Sequence, residues 1–193
     1  YQLARYLGQE RVWQLIHDCT WSQTAEAKQA ADDIRRLFLA GYMSRTSPAD
    51  HPEGQDEVGN GEAVMVLQGS WTPNEVTEDT GYDDTWGFFP WPAVKNGTDG
   101  TEGIMIGAQG FGVMKDSQMK QEAFDFAYSV CTGETDMKMT DIVNSIPADT
   151  DNTQWPEMLA DAASYMGKMS KPYMWAAGLE QSRIIKIRYR QSF

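Results

Sequence analysis

The side chains with chemical reach are few and poorly arranged for covalent work. His17, Asp18 and Cys19 are consecutive inside a run of helical spacing, where neighbours point about 100° apart and cannot form a proton relay. His51 stands in a Pro-rich, acidic loop without a partner at helical or hairpin spacing. The chain has no HExxH, GxSxG or Walker pattern. Asp149-x-Asp151-x-Thr153 begins like a calcium loop but lacks the glycine and the closing glutamate that such a loop needs. Gly107-Ala108-Gln109-Gly110-Phe111-Gly112 has the wrong glycine order for a dinucleotide fingerprint, and a strand pattern rather than a helix follows it. It reads instead as a hinge that admits close approach of a ligand at Gly107, with Gln109 able to reach hydroxyl groups. Cys19 and Cys131 are too isolated to form a metal motif or a disulfide framework, and they do not decide the compartment.

Aromatic rings are the stronger candidates. Trp71 follows two small residues, Gly69 and Ser70, at an expected strand end, a setting that leaves an indole at an edge. Taken alone, a tryptophan there is more simply a core residue. The Ser70 hydroxyl fits either a ligand contact or a cap for the helix that Pro73 opens. Trp91, between two prolines, reads as structural, while Tyr173 and Trp175 put two further rings near the C-terminus.

The elements that must position these groups follow from periodicity. Leu3, Leu7, Val12, Leu15, Ile16 and Cys19 return at helical intervals and predict one helix over the first nineteen residues. Ser22 is an expected N-cap for a second helix over 23–40, with Gly41 as its stop. Residues 44–60 read as a loop with a short helical turn at 55–58. Ala63–Leu67 reads as a strand by length and β-branching, and Trp86–Pro90, Ile104–Ile106 and Phe111–Met114 read as further strands. Helices are expected from Pro73, over 119–131 with Ala123, Phe124, Ala127 and Tyr128 on one face, over 134–143 and over 156–166. Alternating helices and strands without repeats make an α/β layered fold.

The chain has 193 residues and a net charge of −12, a field that repels phosphate backbones and makes nucleic acid a poor partner. Between Thr46 and Val94 lie ten acidic residues and no Lys or Arg, read as a solvated acidic face. After Glu180 the balance inverts with Arg183, Lys186, Arg188 and Arg190. No apolar run is long enough to cross a bilayer, and the first residues lack a signal-peptide pattern, which fits a cytosolic chain or one whose export signal lies upstream.

Several segments, in this order, resemble the extracellular solute-binding proteins of ABC importers, in particular the sugar-binding group. They are Leu39-Ala40-Gly41-Tyr42, Gly61 through Gly69-Ser70-Trp71, Trp86-Gly87-Phe88-Phe89-Pro90-Trp91-Pro92, Gly107 through Ser117, Glu122-Ala123-Phe124-Asp125-Phe126, and Asn144-Ser145-Ile146-Pro147-Ala148. The order carries more weight than any single match. The resemblance implies a periplasmic-binding-protein-like (type II) α/β fold of two lobes with a ligand in the cleft between them. A full family member is much longer, so the fold is expected to be incomplete here and to be mostly the C-terminal lobe. That lobe would comprise residues 1–106 and 144–193, with 107–143 crossing to the N-terminal lobe and an atypical basic end at Ile184–Phe193.

The resemblance further implies a substrate-binding component that captures an extracellular saccharide and delivers it to a membrane permease. Such a protein is extracellular or periplasmic, anchored as a lipoprotein when full length, and not an enzyme. Sugars present C–H faces that stack on flat rings, so the resemblance turns Trp71 from a core residue into a ligand platform. Ser70, Gln109 and Gly107 would surround it, and Tyr173 or Trp175 would supply a second ring. It implies no catalytic residue, metal or cofactor. The incomplete lobe would expose apolar residues and favour self-association. The rival readings are a fragment of an α/β hydrolytic enzyme and an interaction domain without a small ligand. The placement of acidic residues in loops and on helix exteriors, rather than at strand ends, weighs against the hydrolase.

Overall fold

The computed structural model describes residues 1–44 and 53–174. His51, Trp175 and the basic end lie outside the described residues. Helices α1 (Gln2–Leu7), α2 (Gln9–Asp18), α3 (Ala25–Leu39), α4 (Glu53–Gly59) and α5 (Thr72–Thr80) come first. Strand β1 (Gly103–Ile106) follows, then α6 (Lys120–Val130), α7 (Gly133–Val143), α8 (Ala160–Met166) and strand β2 (Lys171–Met174). The chain forms two units: residues 1–43, 90–108 and 165–193 make the first, and 44–89 with 109–164 make the second.

In the first unit the single helix expected over 1–19 is two. Gly8 takes φ 77, where a Cβ would be strained, and the turn it makes ends α1 and starts α2. The apolar stripe expected across this region does go inward, with Val12, Leu15 and Ile16 of α2 buried. Helix α3 starts later than expected. Thr24, not Ser22, is its N-cap, because residues 21–23 coil into a 3₁₀ turn. Its end is as expected: Gly41 N–H donates to the Phe38 carbonyl at 3.0 Å and Tyr42 N–H to Leu37 at 3.1 Å, the paired bonds of a Schellman stop. Strands β1 and β2 pair in parallel, Gly103 opposite Lys171 and Met105 opposite Tyr173. β2 carries Pro172, which removes a donor and which an edge strand tolerates.

In the second unit α4 packs on α5 so closely that a Cβ on Gly59 would meet the Val76 and Thr80 side chains at 2.6 and 2.2 Å. Among its described residues Val76, Leu159 and Pro73 are fully buried apolar side chains. Pro73 sits in the first turn of α5, as expected, and the helix runs on past Val76 to Thr80. Helix α6 is capped at Cys131, and Gly133 opens α7 one residue before the expected start.

Three expected strands are absent: residues 63–67, 86–90 and 111–114 are extended or irregular. Val64 is 91% exposed, and Met65, Leu67, Phe89, Phe111 and Met114 are also exposed. β-branching marks a segment suited to a sheet, but a strand forms only where another pairs with its backbone and covers one face. Among the described residues the only sheet is β1–β2, in the first unit. For the same reason the apolar face of α6 is open. Phe124 and Tyr128 stack on each other at 6.2 Å between ring centroids and remain exposed. The architecture is a mixed α/β one with a small parallel sheet. Among the described residues no helix is long and apolar enough to cross a membrane.

Candidate functional site

Two polar constructions stand out, one in each unit. In the first unit Arg5 is fully buried. Its guanidinium donates to the Trp91 carbonyl at 2.6 Å, to Pro92 at 3.3 Å, to Gly103 at 2.9 Å and to the Tyr173 hydroxyl at 3.2 Å. It lies beside both the Tyr1 and Tyr173 rings, 5.7 and 5.6 Å from their centroids. The Tyr173 hydroxyl donates to Asp99 at 2.7 Å, and Lys171 reaches the other oxygen of that carboxylate at 2.5 Å. One fork of donors therefore ties α1, the 91–92 segment, β1 and β2 together.

Burial would push the Asp99 carboxyl up, but the Lys171 and Tyr173 hydrogen bonds and the nearby Lys171 and Arg5 charges outweigh it, leaving it below the usual carboxylate range. Burial first, and then the bond to Asp99, raise the Tyr173 hydroxyl well above its ordinary value. On α3, Asp33 accepts hydrogen bonds from Tyr6, Gln29, Gln2 and Arg36, and is held down to about 2 by them, Tyr6 foremost, against a smaller burial effect.

Both carboxylates are depressed on folding, so the stability they confer is present above their unfolded values near pH 4 and lost as pH falls through the folded ones. An acid titration of unit-one tertiary structure should thus fall between about pH 4 and pH 2, and Asp33→Asn should flatten that limb. Equal slopes in the two proteins, read by near-ultraviolet circular dichroism, would contradict it.

An open groove of about 560 Å³ lies beside this network, lined by Gln9, Arg11, Asp99 and Lys171 among others. Its polar groups are largely engaged: Asp99 as above, and Gln9 by the Met174 N–H at 2.5 Å. It is a less promising ligand site than the turn at Trp71.

That turn, in the second unit, is built from Gly69 upward. The Gly69 carbonyl accepts from the Thr72 N–H at 3.2 Å and from its hydroxyl at 2.8 Å, which closes the turn and starts α5. The Trp71 indole lies over Gly69, where an added Cβ would meet ring atoms at 2.1–2.5 Å. Only glycine leaves room for the ring there. Trp71 is the N-cap of α5 and is 45% exposed, and no side chain caps the helix, so Ser70 does not serve that purpose. Below the turn Gln55, 2% exposed, accepts from the Gln68 amide at 3.3 Å and donates to Glu75 at 3.0 Å.

Of the residues proposed from sequence, Trp71 and Ser70 share this turn, and Gln109 is exposed in the same unit. Gly107, also exposed, and Tyr173 belong to the first unit, where Tyr173 is buried in the Arg5 network. Trp175 lies outside the described residues. The calcium-like run serves the backbone instead. Asp149 accepts from Gly133 and Asp151 N–H groups, which hold it below its usual range, and Asp136 accepts from Ala148, Asp149 and Asn152. Among the described residues no cluster of His, Cys, Asp and Glu could hold a metal ion, and both cysteines are free.

Arg5 and Gln55 are the residues that sequence reasoning missed. Each is a polar side chain whose partners are distant in sequence, and nothing adjacent announces them.

No curated protein and no solved structure matches the chain. A protein-family model does, that of the bacterial extracellular solute-binding proteins, over residues 12–168. The matched span contains the Trp71 turn, α3 through α8 and the strand β1. With that span covering most of its length, the chain belongs to the bacterial extracellular solute-binding protein family.

Proposed function

We propose that this protein is the substrate-binding component of an ABC-type sugar importer, acting outside the membrane as a tethered lipoprotein and delivering a saccharide to its permease. The observation that carries this reading is Trp71. Its indole is seated on Gly69 and partly open to solvent, with Ser70 beside it and a helix start beneath. A flat apolar ring held at a turn, with hydroxyl and amide groups nearby, suits the alternation of C–H faces and hydroxyls that a sugar presents. Ser70 and Gln109, both of the same unit, are the polar contacts we assign to it. The bound state is non-covalent, without metal, cofactor or catalytic residue. The open apolar residues of the second unit, Phe111 and Phe124 among them, are the surface we assign to self-association.

Calorimetric titration of a panel of mono-, di- and trisaccharides tests the reading. Trp71→Ala should weaken the tightest-binding sugar by about tenfold or more, because a stacked ring contributes on the order of 1 kcal/mol beyond its area. The melting temperature of the unliganded protein should scarcely move, since a half-exposed ring adds little to the core. A collapsed melt with unchanged affinity would end the stacking claim.

A further inference from the structure

We infer that Gln55 is a positioning residue that fixes the orientation of the Trp71 ring. The inference rests on the reading of Trp71 as the ligand platform. Gln55 lies on α4, and its side chain bridges the two flanks of the turn. Its carbonyl oxygen accepts from Gln68, three residues before the tryptophan, and its amide donates to Glu75, four residues after it. Glu75 is itself joined to the ring's own residue, because its N–H donates to the Trp71 carbonyl at 3.3 Å.

A carboxamide carries a donor and an acceptor on one flat group, which this arrangement requires. A glutamate at position 55 could accept from Gln68 but would set a second carboxylate against Glu75. Methionine would fill the space and bond to neither. The bridge is held from both sides: α4 is locked on α5 at Gly59, and Gly69 and Thr72 close the turn. With Gln68 and Glu75 both anchored, the segment from 68 to 75 has one arrangement, and the indole lies in it over Gly69. Without the bridge, the Gln68 end is free to swing, and the ring with it.

The test reads the ring directly and needs no sugar. The full chain is labelled with 5-fluorotryptophan, and the Trp71 fluorine resonance is assigned by its disappearance in Trp71→Phe. Gln55→Met and Gln68→Ala should each shift or broaden that resonance while leaving Trp91, in the first unit, in place. Gln68 is exposed, so its truncation leaves the fold intact even if the change at the buried position does not. Gln55→Glu should displace the resonance at neutral pH and restore it in acid, where a protonated carboxyl again donates to Glu75; loss of packing alone would not reverse this way.

In the saccharide titration above, Gln68→Ala should weaken binding by roughly fivefold, the worth of one hydrogen bond's preorganisation. A Trp71 resonance unmoved in both Gln68→Ala and Gln55→Met overturns the inference. A moved resonance with unchanged sugar affinity supports the positioning role and counts against the stacking reading instead.

Discussion

Arg5→Met should cost the first unit about 3–5 kcal/mol, a large share of the stability available to a single domain. Methionine preserves much of the volume, so the loss isolates the polar network from the packing. The buried Gly103 carbonyl and the part-buried carbonyls of Trp91 and Pro92 would lose their donor together, and an unsatisfied buried group costs about 1–3 kcal/mol. Asp99 would at the same time lose a nearby positive charge that favours its ionised form. Arg5→Lys should recover little, because an ammonium is a point charge and cannot reach carbonyls on separate segments with a planar fork. Hydrogen exchange at β1 and β2 amides, measured beside amides of α5 and α7, would resolve the effect to the first unit. Protection of β1 and β2 at the wild-type level in Arg5→Met would refute it.

The second large effect is ionic. Among the described residues the second unit contains nineteen acidic residues against three basic ones, whereas the first has seven against eight. Among the described residues its one ion pair is Lys138 with Glu134, both well exposed. Self-repulsion on that scale destabilises a compact state, and added salt screens it over about 10 Å at 0.1 M and about 3 Å at 1 M. Raising sodium chloride from 10 mM to 1 M should therefore lift the melting temperature of the second unit by about 5–10 °C, equivalent to about 1–2 kcal/mol. The first unit, held by the Asp99 and Asp33 charge clusters, should gain nothing or lose slightly. Glu78→Lys with Asp79→Lys, on the exposed face of α5, should reduce the salt response. A second-unit transition that is flat or falls with salt would contradict this account.

Helices were legible in the sequence because their signals are local. The α3 stop at Gly41, the Pro73 start of α5 and the extents of α6 and α7 each depend on residues within a turn or two. The Gly8 break was not read, since the apolar stripe continues on both sides of it and only the close packing of Thr98 and Asp99 against Gly8 explains the turn. Strands were the weak point. Residues 63–67 have the composition of a strand and no partner, whereas β2 contains Pro172 and two polar-headed residues yet pairs with β1. Pairing across distant sequence decides such cases, and composition does not record it. The same division holds at the candidate site. The Gly69-Ser70-Trp71-Thr72-Pro73 turn is written in consecutive small and helix-starting residues. Gln55 and Arg5 act on partners up to 168 positions away, and an isolated glutamine or arginine has no pattern by which to be found.

Each unit is assembled from non-adjacent stretches, and the first is closed by the final described segment. On a ribosome Arg5 emerges long before Tyr173, so its guanidinium must remain hydrated until nearly all of the described chain has been made. The first unit therefore cannot close until β2 has emerged, whereas the stretches of the second unit are all made by residue 164. The docking of β2 on β1 is then the late event that locks the first unit, after the second unit's residues are already made.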